Sequence, residues 1–120
     1  MAPTTFDRAM SVKKAHLNML QDCSKKLDGK LAEDETPQKV DEVTCLLKVL
    51  TTQWVDYEDA ALKVQASIPD DEVDPLLMEE LAEFNNVRAI FLTTETQGNL
   101  YLTAKTIGQM VSRSVPIPPL

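Results

Sequence analysis

Apolar residues in this chain recur at alternating steps of three and four, the spacing that lines side chains along one face of an α-helix. The pattern is cleanest in the middle, where Val40, Val43, Leu47, Leu50, Trp54, Tyr57, Ala61, Val64 and Ile68 follow one another without a break. A helix over 36–68 is predicted there, on the order of 50 Å long at about 1.5 Å per residue, a length that suits an elongated hairpin or bundle. Upstream, Phe6, Met10, Leu17, Leu20, Leu27 and Leu31 keep the same spacing, with Lys13 and Ser24 standing at the two missing steps. They predict a first helix over 5–32, capped by Thr4 or Thr5. Downstream, Leu77, Leu81, Phe84, Val87 or Arg88, and Phe91 predict a third helix over 74–112.

Local chemistry marks the boundaries. Gly29 either ends the first helix or lets it fray on to Glu33, since Gly costs about 1 kcal/mol in a helix interior relative to Ala. Thr36-Pro37 is a good N-cap and first-turn pair, and Asp74-Pro75 repeats its logic. Pro69 stops the second helix, and Asp70, Asp71, Glu72 and Asp74 suit the positive end of the third. The polar run Thr93 to Asn99, with Gly98 inside it, is a weak point, beyond which Leu100, Leu102, Ala104, Ile107 and Val111 resume. Val115 to Leu120, with three prolines, reads as an extended tail or linker beyond a helical domain spanning 1–114. The short connections make neighbouring helices antiparallel. The predicted fold is therefore all-α: an elongated antiparallel three-helix bundle built of coiled-coil-like helical hairpins.

Composition agrees and narrows the function. The 120 residues hold only three Gly and are 43% hydrophobic, enough for one small core. No apolar stretch approaches the roughly 18 residues of a membrane span, and the N-terminus lacks a secretory apolar segment. A cytoplasmic setting is expected, with a nuclear one as the alternative. The net charge of −7 argues against direct nucleic-acid binding, which needs clustered Lys and Arg. Residues 1–30 carry +3 and the remainder −10, so a mildly basic first helix packs beside acidic ones, which favours one register and orientation.

Candidate chemistry is sparse. His16 is the only histidine, which removes triads that pair a nucleophile with a base, and it is expected to be a solvated helix residue. Cys23 and Cys45 form neither a disulfide framework nor a metal pattern, even with His16, and read as buried small hydrophobes. The acidic groups Asp56-Glu58-Asp59, Asp70 to Asp74 and Glu79-Glu80-Glu83 lack a calcium-loop arrangement and read as solvated faces or helix-start charge. No catalytic, cofactor-binding or metal site is expected, and the chain is read as not an enzyme. A catalytic reading would need a cavity lined by several of Asp56, Tyr57, Glu58 and His16. Trp54 and Tyr57 lie on the apolar seam, where core packing is the ordinary role. Leu46, Val49, Val55 and Leu62 fall off that seam, so the second helix has apolar residues on more than one side.

One stretch resembles a known family. The order Leu-Leu-Lys-x-Leu-x-x-x-Trp-x-x-Tyr-Glu from Leu46 to Glu58, then Ile-Pro-Asp-Asp-Glu from Ile68, then Glu-x-Leu-x-Glu-Phe from Glu79 to Phe84, is similar to the helical N-terminal region of Gag polyproteins from Pao/BEL-type LTR retrotransposons. The resemblance covers about half the chain, and the Pro-rich end resembles the linker to the capsid-like part. It implies a self-associating segment of a particle-forming polyprotein, or of a domesticated derivative. The expected function is assembly by helix–helix contact, with Val43, Leu47, Leu50, Trp54, Tyr57, Leu81, Phe84 and Phe91 as packing or partner-interface residues. The alternative is a soluble adaptor that docks a partner's amphipathic helix, which predicts a monomer with an open groove near Trp54.

Overall fold

A computed structural model describes residues 4–69 and 73–114, with side chains through residue 69 and from 75 to 108. The acids Asp70, Asp71 and Glu72 and the Pro-rich tail lie outside the described residues, as do the side chains of Asp74 and Val111. Three helices make up the fold: α1 (Thr5–Ala32), α2 (Lys39–Ala66) and α3 (Val73–Ser114). No strand occurs among the described residues.

Thr4 is the N-cap of α1, its hydroxyl accepting from the Asp7 N–H at 3.0 Å while Asp7 Oδ2 accepts from the Thr4 N–H at 3.2 Å. This reciprocal box satisfies two N–H groups that the first turn leaves free. The helix runs straight through Gly29 to Ala32. Beyond it, α2 begins later than Thr36-Pro37 suggests: Gln38 is the N-cap and makes no side-chain cap bond. Thr36 instead accepts the Lys39 N–H through its backbone carbonyl at 3.2 Å, so Pro37 sits in the turn before the helix. The Lys39 ammonium, nearly fully buried, donates to the carbonyls of Leu31 and Glu33 at 3.1 and 2.6 Å. A cation there satisfies carbonyls at the end of α1 and sits at the negative end of its dipole. Gly98 does not interrupt α3, which is continuous for 42 residues.

Cross-links between helices fix their directions. Lys30 reaches Glu42 at 2.5 Å and the Cys23 thiol reaches the Leu46 carbonyl at 3.6 Å, so α1 and α2 are antiparallel. Trp54 stacks on Phe91 near the middle of α2, and Glu35 meets Tyr101 and Lys105, so α3 runs back along α2. Lys13 with Glu80 and Ser24 with Thr94 show α1 and α3 parallel. The architecture is an elongated up-down-up bundle, as the short connections predict. α2 packs most extensively on α1, and α1 touches α3 least. The core is one cluster centred on Leu27, Val43, Leu50, Tyr57 and Phe91, with Trp54 and Phe84 packed against it.

Candidate interaction surface

The expected packing residues divide into three groups. Val43, Leu47, Leu50, Tyr57 and Phe91 are buried, Trp54 and Phe84 are half-buried, and Leu81 is 41% exposed. Trp54 lies 4.9 Å from Phe91 in a nearly parallel stack and 5.4 Å from Phe84, while Tyr57 lies 6.2 Å from Phe84. Within these distances aromatic rings attract beyond the area they bury. The cluster joins α2 to α3 and is spent inside the chain. Leu81 contributes little to it because the adjacent Glu80 takes the inward position.

Glu80 and Glu83 correct the reading of their acidic run as a solvated face. Lys13, 2% exposed at the position where the first seam lacks an apolar residue, donates to Glu80 at 2.5 Å and to Glu83 at 2.6 Å. Burial pulls the Lys13 ammonium toward its neutral form, but the two carboxylate bonds outweigh it and its pKa lies above the ordinary value. Burial likewise pushes the Tyr57 hydroxyl well up, with Glu83 and Glu80 acting in the same direction, and that hydroxyl has no partner among the described residues. Farther along, the buried hydroxyls of Ser24 and Thr94 meet at 2.8 Å. Polar links, not apolar ones, thus tie α1 to α3 at both places.

His16 and Cys45 also differ from expectation. His16 is half-buried, and its Nδ1 finds no partner among the described residues, as is true of Gln53 Oε1. Cys45 is exposed, whereas Cys23 is buried and its thiol is pushed up by that burial against the opposing pull of Lys26. At the other end of the bundle Glu35 receives Tyr101 and Lys105, each at 3.0 Å. The bond from Lys105 holds its carboxyl below the ordinary value, with burial opposing and Tyr101 and Lys39 assisting. No group of three His, Cys, Asp or Glu able to hold a metal occurs among the described residues, nor does a helix long and apolar enough to cross a membrane.

The outside of the bundle carries the remaining apolar surface. A groove of about 420 Å³ between the start of α1 and the end of α2 is floored by Ala9, Val12, Ala60 and Ala66 and edged by Arg8 and Lys63. A larger feature runs along α3. Met78, Ala82, Asn85, Ala89, Leu92, Thr96, Leu100, Thr103 and Ile107 follow one another in steps of three and four, and every one of these nine positions is exposed. Met78 is 73% exposed, Leu100 63% and Ile107 55%. None of the nine is charged, in a chain where 26% of residues are. This outer seam was legible in the spacing, but its threonines and asparagine resemble a solvated face. α3 therefore has a patterned stripe on each side: the inner one meets α1 and α2, and the outer one meets nothing among the described residues. Comparison of the chain with protein-family models, curated proteins and solved structures finds no match.

Proposed function

We propose that this chain is a non-enzymatic assembly module that acts by helix–helix self-association. The observation that carries the reading is the row of large apolar residues left exposed on α3, Met78, Leu92, Leu100 and Ile107, after the aromatic core has been filled. A row of large apolar residues exposed on one helix face is a place where another surface can dock. Of the residues expected as packing or partner-interface positions, all but Leu81 are buried or half-buried within the bundle. The resemblance of Leu46 to Leu102 to the Gag helical region accords with this role, as a self-associating segment of a particle-forming polyprotein or a domesticated descendant, working in the cytoplasm or nucleus.

Light scattering on the purified chain over a roughly hundredfold concentration range tests the proposal, because self-association makes mass depend on concentration. Mass that rises with concentration at unchanged helicity supports it. A mass fixed at that of one chain contradicts it and favours the second reading, an adaptor. The observation favouring an adaptor is the groove edged by Arg8 and Lys63, whose apolar floor and cationic rim suit an acidic amphipathic helix.

A further inference from the structure

We infer that the outer seam of α3 is a homodimer interface, in which a second copy of this chain lays the same seam across it antiparallel. The inference rests on the self-association reading and names its surface. Two copies each carrying −7 repel one another over most approaches. Between Ala89 and Gly108 thirteen residues are exposed and none is charged, although the exposed positions of α1 and α2 include Asp7, Lys14, Asp22, Lys25, Lys26, Asp41, Asp56 and Asp59. Glu79 and Arg88 are the exposed charges beside the first half of the seam, so its second half is where two acidic copies meet with least repulsion. Charge depletion is also the compositional mark of an interface centre.

The seam is self-complementary in size when reversed on itself. Centred beside Leu92, an antiparallel copy sets Met78 against Ile107, Ala82 against Thr103 and Ala89 against Thr96, with Asn85 against Leu100 the one unlike pair, and brings Leu92 beside its own counterpart. A residue and its partner exchange roles across the two-fold axis, which closes the pair and stops growth along this face. From Met78 to Ile107 the seam is about 44 Å long, and with a contact strip about 10 Å wide the pair buries about 900 Å² in all. That falls below the roughly 1,200 Å² of standard stable complexes, so the dimer is weak and reversible.

The test is sedimentation velocity on the full chain with Leu92→Glu, Leu100→Glu and Thr96→Leu, beside Val12→Glu in the groove between α1 and α2. All four sites are solvent-facing, and circular dichroism verifies that each variant folds. Leu92→Glu should weaken dimerisation by roughly a hundredfold or more, since two like charges meet at its centre. Leu100→Glu should weaken it less, Thr96→Leu should tighten it, and Val12→Glu should leave it unchanged. Dimers that survive Leu92→Glu and Leu100→Glu but dissociate with Val12→Glu overturn the seam while leaving self-association standing. A wild-type chain that stays monomeric throughout, with Thr96→Leu also monomeric, overturns both.

Discussion

Replacing Lys13 by Met removes the cation from the junction of α1 and α3 and keeps most of the length of the unbranched side chain. Glu80, buried, and Glu83, half-buried, are then left facing each other without the ammonium that both contact at 2.5–2.6 Å. Breaking a buried ion pair by removing one partner costs about 3–5 kcal/mol, and because Glu83 retains some solvent the lower half of that range applies, about 3–4 kcal/mol. For a chain of this length that is a fall in melting temperature on the order of 10–15 °C. Urea unfolding followed by the fluorescence of Trp54, packed between Phe84 and Phe91, measures it directly. Lys13→Met combined with Glu80→Gln should recover much of the loss, since the uncompensated buried charge is then gone. Lys13→Met as stable as the wild type, within about 0.5 kcal/mol, would refute the assignment of Lys13 as the ionic tie between these helices.

Two helical glycines in opposite environments, Gly29 and Gly98, give a second check. A Cβ on Gly98 would stand 2.7 Å from Leu47 Cδ2 and 3.1 Å from its Cγ, so a buried side chain must repack, whereas a Cβ on Gly29 meets nothing within 4 Å. Gly29→Ala should stabilise by about 0.5–1 kcal/mol, and Gly98→Ala should destabilise by about 1 kcal/mol despite the same gain in helix propensity. Phe91→Ala, which empties a buried ring site stacked on Trp54, should cost about 3–5 kcal/mol, while Leu81→Ala should cost under about 1 kcal/mol; the same urea titrations read both. The Glu35 carboxyl, held low chiefly by Lys105, contributes stability present above its ordinary value near 4.5 and lost as pH falls through its folded value. Melts of wild type and Glu35→Gln should therefore differ at neutral pH and converge as pH falls below the folded value of the carboxyl. Lys13 gives the opposite sign: raised above 10.5 when folded, it contributes fully below that pH and ceases to contribute as pH climbs through its folded value, so Lys13→Met and wild type should draw together only in strong alkali.

The helices themselves were legible because their apolar steps are local, and the nine-position seam of α2 needs only a period to be read. What joins the helices was less so. Lys13 and Ser24 were visibly out of character on an apolar stripe, but their partners Glu80, Glu83 and Thr94 lie 67 to 70 residues away, beyond any local pattern. Gly98 looked like a break because propensity was the only local information, and its actual role is a close approach of α3 to Leu47. Leu81 was assigned inward on spacing, yet the neutralising Lys13 makes room for Glu80 instead. His16 illustrates the same limit: its ring is half-buried, which no local reading supplies. The outer seam of α3 was present in the sequence as a row without charge, and its meaning emerged only once the opposite face of that helix was seen to fill the core.

Sedimentation equilibrium of the unmodified chain tests the central claim most directly, read beside its Leu92→Glu variant at the same concentrations. Self-association through the outer seam gives a mass that rises from the 13.4 kDa of one chain toward twice that value with concentration, and a variant that stays at one chain throughout. A wild-type mass that never leaves 13.4 kDa would contradict it.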